Sequence, residues 1–383
     1  YAACIILGAV IGSFSGKISV RIQQIAIYFN MFLLILVFIA LPIGTKRNNI
    51  PFNDGKFIFG NAENYSNWST GGNWILNALV PAAWTISAFD SPIHMSEEAV
   101  YNPRNMKKHV LLDPKASPAA FGIIMSISAC GLLGWLMLIC IYACMGPSVD
   151  AIMHSSYNNI LTRIFMNSLG KKWTLAIMSL MSIGCFLMGV SAIMATSRNF
   201  YALCRDRVLP PIPADWLAVV NTKTNTPVRA MYGTCIVSML LGLLIFQNQG
   251  ANSLFTIAVA GFYMEMAIPM FLKITYARNF FDKGPFFLGD KASYIINLIA
   301  VGYQCFMIVL MMVPYVNHPD KQGMNYTVVF TFGILAMALS GFYLFMHKYF
   351  KGPRSNLSDQ EYLEAVGEDA GIDAILSSEP KSE

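Results

Sequence analysis

Apolar residues in this chain come in long blocks and do not alternate with polar ones. The blocks cover residues 1–14, 20–42, 74–94, 119–145, 173–197, 229–246, 253–272, 294–314 and 327–346. A helix needs about 20 apolar residues to cross the hydrocarbon core of a bilayer. The pattern therefore predicts an all-α polytopic membrane protein with eight full spans and a short one at 1–14. Each span must be helical, because an unpaired backbone group in hydrocarbon costs several kcal/mol. None shows the ten-residue alternation of a membrane barrel strand. Between the spans, Ile160, Leu161, Ile164 and Phe165 fall on one helical face, so a short helix lying on the bundle is predicted over 156–169.

Composition agrees and narrows the class. Only 12% of the 383 residues are charged, 55% are apolar, and the mean hydropathy is +0.51. A soluble domain carries about 25% charged residues, so a soluble globule and a disordered chain are both excluded. The net charge of +5 becomes informative only when the charges are placed. One set of alternate loops and the C-terminal tail hold 19 Lys and Arg; the other set holds 7 (Lys46, Arg47, Lys56, Arg163, Lys171, Lys172 and Lys321). The richer set is assigned to the cytoplasm. Three sequons, beginning at Asn64, Asn67 and Asn325, fall in or beside the opposite loops and are candidate glycosylation sites.

Residues 1–350 are thus read as one membrane domain and 351–383 as an acidic, serine-containing cytoplasmic tail. The chain opens at Tyr1 with no initiator methionine and is read as lacking its start. All eight cysteines lie in or near apolar blocks without a CxxC pair, so they are expected to be buried small hydrophobes. The five histidines are scattered, and no metal or cofactor is expected. No nucleic-acid partner is expected either.

Two acids lie within the spans, Asp90 and Glu265, with no internal Lys or Arg. A charge at the bilayer centre costs about 2.5–3.5 kcal/mol or more, so such acids face a cavity, an ion or a partner. Two acids without a base suit a cationic group or a transferable proton. The stretch Trp84-Thr-Ile-Ser-Ala-Phe-Asp-Ser-Pro92 also bunches small and polar residues before a proline. Proline removes an N–H and disfavours helix at the preceding residue, which predicts a helix interrupted near Ser87 and Ala88. Broken helices at membrane depth are how many secondary transporters build their sites.

The segment AAWTISAFDSPIHMSEEAVYNPRNMKKHV resembles the sixth helix and following loop of the amino acid–polyamine–organocation superfamily, in its fungal amino acid, GABA, choline and polyamine permease group. MGVSAIMATSRNFYALCRDRVLPP, NTPVRAM and GPFFLGDKASYIINLIAVGY resemble the eighth helix, the start of the ninth and the entry to the eleventh. The resemblance implies an inverted five-helix-repeat transporter of twelve helices working by alternating access, represented here from part of the fourth helix through the twelfth. It implies substrate contacts at Trp84, Ser87, Ala88, Phe89 and Asp90, and inner-gate positions at Glu97, Glu98 and Arg104. Asn30 stands where some prokaryotic relatives carry a lysine in place of sodium, and Glu265 matches no family motif.

The implied partners are a small amine or amino acid, a coupling proton and the lipid bilayer. The implied location is a membrane, the plasma membrane before the vacuolar or Golgi membrane. The alternatives are a non-transporting nutrient sensor of the same fold, for which the tail of about thirty residues is short, or an inactive transporter fragment. An enzyme would need a nucleophile–base or metal constellation among the helices, and the sequence offers none. A P-loop for ATP-driven pumping is likewise missing.

Overall fold

The computed structural model describes every residue except 15, 62, 87, 88, 90–117, 156, 158, 225, 247, 279–286, 320–323 and 351–383. Among the described residues the chain is a bundle of helices: α1 (Ala2–Gly12), α2 (Gly16–Arg47), α3 (Gly55–Gly60), α4 (Thr70–Thr85), α5 (Pro118–Cys144), α6 (Val149–Met153), α7 (Ile160–Arg205), α8 (Pro211–Leu217), α9 (Val228–Gly242), α10 (Asn248–Thr275), α11 (Asp290–Met312) and α12 (Thr327–Leu344). Short 3₁₀ turns, Leu243–Phe246 and Met346–Lys348, extend α9 and follow α12.

The apolar blocks all become helix, but not all at full length. Six described helices, α2, α5, α7, α10, α11 and α12, are long and apolar enough to cross a membrane. Two further apolar helices, α1 and α9, are shorter, and the described part of α4 has 16 residues. The 229–246 block closes as a tighter 3₁₀ turn after Gly242, and helical geometry in α4 ends at Thr85.

Three apolar clusters hold the bundle. Val37 and Leu41 of α2 meet Cys140 and Cys144 of α5 and Phe165 of α7. Ile5 and Ala9 of α1 pack on Val190 and Met194 of α7 and Met231 of α9. Leu76 and Val80 of α4 pack on Val259 and Ala260 of α10 and Met307 of α11. In a bilayer, lipid is as apolar as leucine, so close approach and hydrogen bonds must supply much of the helix association.

The helix predicted over 156–169 is present but differs in two ways. It starts at Ile160, where the Asn159 side chain accepts the Leu161 N–H at 2.9 Å. It then runs straight on into the following span through a kink at Gly170, whose φ of 72° is easily adopted only by glycine. Ile164 and Phe165 are buried as predicted, whereas Ile160 is exposed, because the inward face is set one turn further along.

The expectation of buried cysteines is also corrected. Cys140, Cys144, Cys204 and Cys235 are buried, while Cys4, Cys130, Cys185 and Cys305 are exposed on the bundle surface. An apolar span need not bury its small hydrophobes against protein when its outer face meets lipid.

The C-terminal end of α2 lies directly on α7. Asn48 Nδ2 donates to the Ser168 carbonyl at 2.7 Å, and a Cβ added at Gly44 would overlap that same carbonyl oxygen. Backbone cannot step aside as a side-chain tip can. Gly44→Ala should lower thermal stability in detergent by about 1–3 kcal/mol. Gly71→Ala, where a Cβ meets nothing within 4 Å, should be tolerated. Equal melting temperatures for the two variants would contradict the close α2–α7 contact.

Candidate functional site

α4 begins at the Ser69 N-cap, whose hydroxyl accepts the Gly72 N–H at 3.3 Å. Its N-terminal end is latched to the α11–α12 connection. Trp68 Nε1 donates to the Pro314 carbonyl at 3.2 Å, and the Asn317 N–H donates to the Ser66 carbonyl at 2.9 Å. Within α4, Pro81 supplies no N–H, and Thr85 Oγ1 turns back to donate to the Pro81 carbonyl at 2.9 Å. The helix ends there: Ile86 has φ −102° and ψ 64°, outside helical geometry, and Phe89 lies in a turn.

The last turn of α4 and the segment after it lie along α10. Trp84 meets Phe255 edge to face, with centroids 5.8 Å apart. Phe89 meets Phe262 at 4.7 Å and 88°. Phe255 and Phe262 are seven residues apart, two turns on one face of α10. Helical geometry is left at Ile86, between the two ring contacts.

The ring contacts continue from Phe262 to Tyr263 at 5.7 Å and from Tyr263 to Tyr303 of α11 at 6.2 Å. Glu265 is three residues beyond Phe262 and flanks the same stripe of α10. Beside this wall, the buried Gln304 of α11 has an Oε1 without a hydrogen-bond partner among the described residues. Such an orphan buried acceptor calls for a water or ligand.

The structure thus brings Trp84 and Phe89 onto the aromatic stripe of α10, the helix that also carries the exposed Glu265. Ser87, Ala88, Asp90, Glu97, Glu98 and Arg104 lie outside the described residues. Asn30 lies elsewhere: its Nδ2 donates to the Ala26 carbonyl of its own helix at 2.9 Å, and its Oδ1 abuts Gly184 of α7. That arrangement is helix packing.

Sequence reasoning missed Phe255, Phe262, Tyr263 and Tyr303. The available signal was two phenylalanines at a seven-residue interval in the span that carries an intramembrane acid. Among the described residues, no group of three or more His, Cys, Asp or Glu could hold a metal.

The three sequons differ in their surroundings. Asn64 and Asn67 are exposed, the latter in left-handed conformation with φ 56°. Next to Asn64, the Tyr65 hydroxyl donates to Glu63 Oε2 at 2.6 Å, and that carboxylate holds the phenol up to about 12. Asn325 is half-buried. Its Nδ2 donates to the Met311 and Val313 carbonyls at 2.8 and 3.2 Å, while its Oδ1 accepts from the Thr327 N–H and hydroxyl.

Comparison with known proteins places this geometry in context. The family model described as amino acid permease matches residues 1–335. A GABA-specific permease of Saccharomyces cerevisiae is 42% identical over 365 residues, covering 95% of this chain and 61% of that protein. An uncharacterized amino-acid permease of Schizosaccharomyces pombe is 32% identical, covering 89% of this chain and 57% of its own length. A putative polyamine transporter of Candida albicans is 28% identical, covering 93% and 63%. The chain spans about three-fifths of the length of these curated relatives.

Proposed function

Because the chain belongs to the amino acid permease family, we propose that it is the greater part of a secondary transporter for a small ammonium-bearing solute, such as GABA, another amino acid, a polyamine or choline. The observation that carries this reading is the wall itself. An interrupted membrane helix lays Trp84 and Phe89 on an aromatic stripe that is flanked by an intramembrane acid. Aromatic faces attract an ammonium group by about 0.5–2 kcal/mol, more when water is excluded. A carboxylate in the same place supplies the opposite charge.

In this reading Ser87 and Ala88 offer backbone groups at the break, and Asp90 holds or orients the ammonium group. Glu265 is the second acid, for substrate or for a coupling proton. Glu97, Glu98 and Arg104 close the inner side. Residues 351–383 form a separate tail. The relatives named for GABA and for polyamines both suit a site of this kind, since each solute carries at least one ammonium group. The protein works from the plasma membrane with its tail in the cytoplasm.

The test is uptake of labelled GABA, choline, putrescine and a panel of amino acids by cells expressing the gene. At least one ammonium-bearing solute should accumulate above the level of cells without it. Asp90→Asn should cut that uptake about tenfold, or about 1.4 kcal/mol of lost interaction, at unchanged surface expression. Uptake of none of the panel, or full uptake by the Asp90 variant, would overturn the assignment.

A further inference from the structure

The short helix α8 presents an exposed apolar strip, on which Arg229 lies over the Trp216 ring. It packs through Ala214, which is fully buried, against α7 and α9. That leaves Ile212 and Trp216, one turn apart on the opposite face, 87% and 59% exposed. Val219 and Val220 continue the strip. Cations rim it. The Arg229 guanidinium lies 5.3 Å over the Trp216 ring and donates to the Trp216 carbonyl at 3.2 Å. Lys223 is exposed nearby in the chain, and Arg207 pairs with Asp215 at 3.4 Å.

The C-terminal segment has the complementary chemistry. Residues 351–383 carry eight acids against three bases. Within them, Ser358-Asp-Gln-Glu361 has the spacing of a helix capping box. Tyr362, Leu363 and Val366 follow at helical intervals, with Glu361, Glu364 and Glu368 between and after them. The sequence therefore offers a short acidic, amphipathic segment.

Topology puts the two on one side. Counting α9 with its 3₁₀ extension as a span, the chain makes four crossings from the end of α8, through α9, α10, α11 and α12, before reaching Phe350. An even number of crossings returns it to the side where α8 lies, whichever way the bundle is oriented. The twelve residues from Phe350 to Tyr362 span up to about 40 Å when extended. A tether of this kind holds its end at a millimolar effective concentration, which favours this occupant over a free protein of equal affinity.

We propose that the segment 358–368 docks on the Ile212–Trp216 strip of α8, with its acids on Lys223, Arg207 and the outer edge of Arg229. Docking ties the end of α12 to the α7–α9 side of the bundle and gives the tail a regulatory handle on helix movement. The inference does not depend on what the transport site carries.

The full chain with Ile212→p-benzoyl-phenylalanine tests it. Irradiation should join position 212 to a tail peptide within residues 355–376. Reversing Glu361, Glu364 and Glu368 to Lys should reduce that product about fivefold or more, since charge pairing steers the contact. A crosslink to phospholipid would make the strip a membrane-seated surface and overturn the proposal. A crosslink to another segment or protein, no crosslink, or indifference to charge reversal would overturn it as well.

Discussion

Phe262→Ala should lower solute uptake at least about tenfold, equivalent to about 1.4 kcal/mol, in cells that display a normal amount of protein. The ring of Phe262 is the partner of Phe89 at 4.7 Å, and Phe255 plays the same part for Trp84. An edge-to-face pair is worth about 0.5–1.5 kcal/mol beyond the area it buries. Here it does more than stabilise, since it sets where the segment after α4 lies on α10. With Phe262 truncated, Phe89 loses its seat and the backbone after Ile86 is free to shift. A displacement of about 1 Å at a binding constellation can cost about a hundredfold in rate. Phe262→Tyr keeps the ring and should retain most uptake. If alanine at 262 leaves both the affinity and the maximal rate unchanged, the α10 stripe is packing only.

How far the sequence carries one toward this arrangement depends on the kind of contact. The spans could be read because lipid imposes a length and an all-apolar surface on each of them. Residues 119–145 and 294–314 become α5 and α11 with ends shifted by only a few residues. The stop at Thr85 also follows from local chemistry, a cluster of small and polar residues ahead of Pro92. What local chemistry does not contain is the partner across a helix interface. Phe255 and Phe262 look like any lipid-facing phenylalanines until α4 is laid beside them. The kink at Gly170 is similar, for a glycine between Leu169 and Lys171 is equally compatible with a loop. Asn30, which stands where some prokaryotic relatives carry a lysine, is in contact with its own helix and with Gly184, and neither contact is written in the local sequence.

Asn325→Ala should lower the thermal stability of the purified protein by about 2–4 kcal/mol, the sum expected for several hydrogen bonds whose partners are left partly buried. The Asn325 amide spans the C-terminal end of α11 and the start of α12. Its Nδ2 holds the Met311 and Val313 carbonyls at the end of α11, where the helix has run out of N–H donors. Its Oδ1 takes the Thr327 N–H at the start of α12, one of the orphan donors there. Alanine removes every one of these bonds at once. Thr327→Val destroys the sequon equally well but removes only the hydroxyl contact, so it should cost less than half as much. The same geometry makes Asn325 unsuited to carry a glycan, because the nitrogen that would be glycosylated is the one holding α11. Endoglycosidase treatment and peptide mapping should therefore find Asn325 unmodified, with any glycan on the exposed Asn67, since Asn64 Nδ2 also donates to a carbonyl, that of Trp68 at 2.7 Å. A glycan at Asn325, or equal stability losses for the two variants, would show that the amide does not join α11 to α12.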